Sequence, residues 1–152
     1  NLKILEKLNI SFNNFSELPL VISSLVTLVS INVASNKITQ FTKELNNLYA
    51  LTELIFTRNS LTNIPNEIGL MLGLKILDFG GNFIDKLPSE FGKLINLEIL
   101  SLWGNNLVKL DASICKLKSL ECLNLGSNKL NSLPSEIIDL TNITKLELFM
   151  NN

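Results

Sequence analysis

The chain has 152 residues, 46 % of them hydrophobic and 18 % charged, with a net charge of −1. That balance offers no basic footprint for nucleic acid and no polybasic patch for a membrane surface. Its apolar runs last only a few residues, too short to span a bilayer, and Leu2-Lys3-Ile4-Leu5-Glu6-Lys7 lacks the apolar core of a signal peptide.

In chain order, the first element is the phrase Leu5-x-x-Leu8-x-Ile10-x-x-Asn13. It returns with Leu28, Ile31, Val33 and Asn36, then with Leu51, Leu54, Phe56 and Asn59. The next three rounds carry Leu74, Leu77, Phe79 and Asn82; Leu97, Leu100, Leu102 and Asn105; and Leu120, Leu123, Leu125 and Asn128. Ile143, Leu146, Leu148 and Asn151 close the series, and every interval is 23 residues. Alternation of apolar and polar residues inside the phrase predicts a short strand with one buried face.

Between phrases lie four more apolar positions, as in Leu107, Leu110, Ile114 and Leu117. The last three recur at steps of three or four, which predicts a helical turn on the outer side. Pro19, Pro65, Pro88 and Pro134 occupy one repeat position, with Glu67, Glu90 and Glu136 two residues after the last three. Proline suits a first helical position and an early glutamate suits the positive end of a helix dipole. Phe41-Thr42 and Leu110-Asp111 replace the Leu-Pro pair, so those two outer segments are expected to start differently.

One coil cannot bury its own leucines, but stacked coils cover one another, giving a solenoid with a parallel sheet along one side. The recurring asparagines (Asn13, Asn36, Asn59, Asn82, Asn105, Asn128) then have a structural role. An amide both donates and accepts, so it can satisfy backbone groups left inside the turn after each strand.

The pattern L-x-x-L-x-L-x-x-N-x-L-x-x-L-P-x-x-I-x-x-L resembles the leucine-rich repeat family over essentially the whole chain. The 23-residue length and Leu-Pro-x-Glu-Ile ending are similar to the intracellular Ras-binding scaffold type, including plant intracellular Ras-group proteins. The resemblance implies an α/β solenoid with a curved parallel sheet on the concave face and short helical or 3-10 segments on the convex face. It also implies a non-catalytic, cytoplasmic protein-binding module, a scaffold in signal transduction with a small GTPase as partner. One alternative is the regulatory or substrate-recognition arm of a kinase, cyclase or ubiquitin ligase. Another is an extracellular receptor ectodomain.

Residues 1–152 read as a single array of about six and a half repeats without recognisable caps. Leu2 already fills the last leucine of a preceding repeat and Asn151-Asn152 falls in mid-repeat. The expectation is therefore a piece of a longer array, with uncapped ends open to end-to-end self-association.

Chemistry is sparse. The chain has no histidine, which removes the commonest general base and metal ligand. Gly80-Gly81 and Gly104 lack the spacing and lysine of a phosphate loop. Cys115 and Cys122 are expected on different sides, sharing neither a disulfide nor a metal, and so small a count points to a reducing compartment. Glu53 and Asp78 fall on neighbouring strands, where a solvated acidic spot is the simpler reading than a catalytic pair. No cofactor is expected. Asn-x-Ser/Thr triplets at Asn9, Asn14 and Asn142 match the number that chance supplies.

The expected working face is the strand side, where residues alternating with the leucines point outward. Two features break its polar character. Ile76, Ile99 and Cys122 are neighbours in one row, with Ile55 diagonally close; Asp78 and Ser101 share the next row with Ile55. Trp103, the only tryptophan, stands between Gly80 and Gly126 with Gly81 and Gly104 beside it. It either lies flat on a bare floor or projects as an anchor. Arg58 is expected to add a polar contact, and Phe149 is expected in the same partner-binding patch.

Overall fold

A computed structural model describes residues 2–152. In each phrase one inward leucine sits between two outward residues, so three residues suffice for a strand. Seven strands form among the described residues: β1 (Lys7–Asn9), β2 (Ser30–Asn32), β3 (Glu53–Ile55), β4 (Ile76–Asp78), β5 (Ile99–Ser101), β6 (Cys122–Asn124) and β7 (Lys145–Glu147). All pair in parallel, in chain order, as one open sheet. Each residue meets its equivalent one repeat away, as in Leu54 with Leu77 and Leu100 with Leu123. Strands stack more closely than helical turns can, so the array bends with its strands inside.

The crossovers run over the outer side, where six 3-10 helices of five residues each form: Leu20–Ser24, Lys43–Asn47, Asn66–Leu70, Ser89–Lys93, Ala112–Lys116 and Ser135–Asp139. Proline precedes the helix rather than opening it. Pro65 and Pro88 sit in extended backbone at φ −73° and −69°. Thr42 and Asp111 take nearly the same angles, φ −86° and −71°. The two outer segments expected to start differently therefore start alike. Stacking on the neighbouring coils sets that corner, and proline only makes it cheaper to reach.

What the replacements change is local. The Asp111 carboxylate accepts from the Ser113 N–H at 2.8 Å, a side-chain cap that the proline coils lack. Asp111→Ala is expected to lower stability by about 0.5–1 kcal/mol, read as a shift in the thermal melt. At the other site the Thr42 hydroxyl, with the Glu44 backbone N–H behind it, holds the Glu44 carboxyl below its ordinary value.

Between the sheet and the outer helices lies one apolar core with Leu28, Ile31, Leu54, Leu77, Leu100 and Leu123 fully buried. Phe56 and Phe79 replace the third strand leucine, and Phe41 fills the position before the missing proline. Their rings lie 5.5 to 6.0 Å apart, so the second coil's departure from Leu-Pro supplies volume to an aromatic cluster.

The chain must turn inward after each strand, and the asparagine column handles the groups this strands. Asn105 Oδ1 accepts from the Ile84 N–H at 3.0 Å, while its Nδ2 donates to the carbonyls of Phe79 and Leu102, both at 3.0 Å. Asn36, Asn59, Asn82, Asn128 and Asn151 repeat this arrangement, each bonding to the coil before it. Asn13 differs: its amide reaches only Ile10 and Ser11 of its own coil and is exposed. The ties between described coils thus begin at Asn36.

Candidate functional site

On the strand side, the alternation places Ile76 (β4), Ile99 (β5) and Cys122 (β6) side by side in strict register. All three are partly exposed, Ile99 at 38 %. The next row sets Ile55, Asp78 and Ser101 in register across β3, β4 and β5. Together they make a strip of apolar surface on the inner face with a short polar row beside it.

Just past the strands, Trp103 lies flat rather than projecting. A Cβ on Gly80 would stand 2.5 Å from the indole Cδ1 and 2.7 Å from Cε2, so the ring covers bare backbone of the preceding coil. A Cβ on Gly81 would meet Cη2 of the same ring at 3.4 Å and Cγ of Arg58 at 3.2 Å. The Gly80-Gly81 pair therefore makes the floor on which both side chains rest. The Arg58 guanidinium carbon lies 6.0 Å from the indole centroid, within cation–π range. Trp103 as a whole is half-buried.

Phe149 repeats the device two coils away. Its Cδ1 would stand 2.8 Å from a Cβ on Gly126, and the residue is 52 % exposed. It forms a separate aromatic spot in the seventh coil, while Trp103 and Arg58 lie past the Ile55–Asp78–Ser101 row from the β4–β6 strip.

Arg58 also sits at a backbone corner with φ 54°, and every coil has the same left-handed corner. Phe12, Ser35, Ser127 and Met150 hold it at 54–56°, Gly81 and Gly104 at 64–65°. A residue with a Cβ is strained there by of the order of 1 kcal/mol, and the asparagine that follows pins the turn in place.

Asp78 has a task that its sequence position hid. Its Oδ1 accepts from the Gly80 N–H at 2.7 Å. Asn9, Asn32 and Asn124 do the same for the residue two places on. This is an Asx turn that ends the strand. The recurrence of Asn or Asp two residues before Ser, Ala or Gly was the available signal. Glu53 is in register with Ile76, and Asp78 with Ile55, so the two carboxylates are offset rather than opposed.

No cluster of three or more His, Cys, Asp or Glu able to hold a metal occurs among the described residues. Cys115 and Cys122 are both free, and burial pushes the Cys115 thiol up. A cavity of about 610 Å³ lies on the outer side, lined among others by Glu90, Lys93, Asp111, Lys116, Glu136 and Asp139. It mixes charges of both signs and lies across the coil from Trp103. No helix among the described residues is long and apolar enough to cross a membrane.

Residues 64–152 match the profile of the leucine-rich repeat region, and residues 5–25 match that of the single leucine-rich repeat. No curated protein matches. Among solved structures, the LRR protein LIC12759 of Leptospira interrogans is 37 % identical with a TM-score of 0.89, over 92 % of this chain and 36 % of that one. A TDR receptor is 35 % identical with a TM-score of 0.90, over 99 % of this chain and 27 % of that one. An internalin (inlF) of Listeria monocytogenes is 27 % identical with a TM-score of 0.88, over 100 % of this chain and 44 % of that one. The chain thus spans less than half the length of each of these proteins.

Proposed function

This chain belongs to the leucine-rich repeat family, and from that premise we propose that it is a non-catalytic recognition module seating a partner protein on its inner, strand-lined face. One observation carries the reading. The Ile76–Ile99–Cys122 strip shares the strand side with an indole laid flat on glycine, one row of outward residues away, and the Arg58 guanidinium lies beside the ring. Flat aromatic surface with a neighbouring guanidinium is what interface centres are built from. Ile55, Ser101 and the free Asp78 oxygen extend the same surface, and Phe149 provides a second contact further along.

The finer reading is a cytoplasmic signalling scaffold for a small GTPase. It rests on the 23-residue period, the Pro-x-Glu-Ile starts at Pro65 and Pro134, and two unpaired cysteines suited to a reducing compartment. A receptor ectodomain is the second reading, favoured by the 35 % identity to a TDR receptor.

Affinity capture with the chain tests the first proposal. Ile99→Asp should weaken retention of the captured protein at least about tenfold, and Lys93→Glu on the outer side should leave it unchanged. Loss with Lys93→Glu and none with Ile99→Asp would move the binding surface to the convex side. Selective capture of a Ras-type GTPase in its GTP form is the outcome expected for the scaffold reading. Equal failure with GTP and GDP forms would rule out that partner and leave the recognition role standing.

A further inference from the structure

Arg58 is the only arginine in the chain, and it lies against Trp103, the only tryptophan. The fold does not ask for arginine there. The same left-handed corner is held by Ser35 in the coil before and by Gly81 in the coil after. Arg58 takes it at φ 54°, a conformation that a long side chain enters only against strain. Its stem crosses Gly81, where an added Cβ would meet Arg58 Cγ at 3.2 Å, and its head reaches the indole. The guanidinium is therefore positioned before anything binds.

Its charge has no partner within the fold. Two ion pairs form among the described residues, Lys75–Glu98 at 2.9 Å and Lys145–Glu147 at 3.0 Å, and neither involves Arg58. Asp78, in the next coil, gives its Oδ1 to the Gly80 N–H at 2.7 Å instead. Arg58 itself is exposed. A planar guanidinium held in place with its donors free matches the two oxygens of a carboxylate.

We propose, resting on the inner-face reading above, that the partner offers Arg58 an aspartate or glutamate side chain beside an apolar group that covers the indole. A single cation favours a carboxylate over a phosphate, which carries more than one charge. Lys75, in the coil between Arg58 and Trp103, is already paired, and Glu53 and Asp78 on the same face repel a dianion. An ion pair left open to water contributes almost nothing. This one gains strength because the indole shields the guanidinium on one side and the bound partner shields it on the other.

Random peptides displayed on phage and selected on the immobilised 152-residue chain test this. Retained peptides should share Asp or Glu at one position, next to an aromatic or branched aliphatic residue, and should lose affinity with Trp103→Ala. Calorimetry on one such peptide then completes a double-mutant cycle. Arg58→Ser copies the residue that this corner already carries at Ser35 and Ser127, so the fold tolerates it. It should lower affinity about tenfold or more, as should replacing the peptide's acid by its amide. Both changes together should cost no more than either alone. Arg58→Lys, which keeps the charge and loses the fork, should fall between parent and Arg58→Ser.

Peptides that need Trp103 but carry no acid, or that bind Arg58→Ser like the parent, overturn this proposal and leave the inner-face reading standing. Binding of a phosphoserine form about tenfold tighter than the acid form overturns it as well, in favour of phosphate. Peptides indifferent to both Trp103→Ala and Ile99→Asp, or no retained peptide at all, overturn the proposal together with that reading.

Discussion

Replacing Asn105 by alanine should lower the stability of the chain by about 1–3 kcal/mol, although the side chain removed is small and touches no partner. The amide ties the fourth coil to the fifth through the Ile84 N–H and the Phe79 carbonyl. Ile84 and Phe79 are both fully buried. Without the amide, a donor and an acceptor lie in an apolar interior with nothing to replace water. Because stability in a repeat array is a sum over coils and their interfaces, the loss falls on one interface. Urea unfolding should therefore show a lower midpoint and a broader transition. Asn13→Ala is the matched control and should shift the midpoint by less than about 0.5 kcal/mol, since that amide bonds only within its own exposed coil. Equal midpoints for Asn105→Ala and the parent would refute this account of the column.

Trp103→Ala should weaken partner binding by at least about 2 kcal/mol, some thirtyfold in dissociation constant, while leaving the melt nearly unchanged. The ring rests on the surface of the fourth coil, and its removal opens no cavity in the core. Gly80→Ala separates position from presence. The tryptophan stays, but the new methyl occupies the space of Cδ1 and Cε2 and lifts the ring. Binding should fall in this variant as well, and the indole fluorescence should report greater exposure to water. Calorimetry showing full affinity in both variants would remove Trp103 from the binding surface. Full affinity in Gly80→Ala alone would mean that the flat seating is dispensable.

The solenoid was legible because its information is redundant: the same leucine positions return in every coil, and stacking forces equivalent residues into register. That register also decided that Glu53 and Asp78 are offset. Other features depended on contacts between coils that no single phrase contains. Whether Trp103 lay flat or stood up turned on a glycine in the coil before it, acting through space left by a missing Cβ. Asp78 looked like a surface charge, yet its carboxylate closes a turn onto Gly80. Thr42 and Asp111 looked like altered helix starts, yet neighbouring coils impose the proline geometry on them. The identity of any partner has no counterpart in the repeat, because only the few residues that vary between coils can encode it.

The parallel register has a mechanical consequence. The bonds joining β1 through β7 run along the axis of the array, so a pull on its two ends loads the interfaces in series. Such a lattice peels from its weakest junction instead of shearing as a block. Each coil released would add 23 residues of free chain, close to 80 Å at about 3.5 Å per residue. The asparagine ties then act as evenly spaced stops, one per coil, and the chain as a whole behaves as an extensible spring with discrete steps.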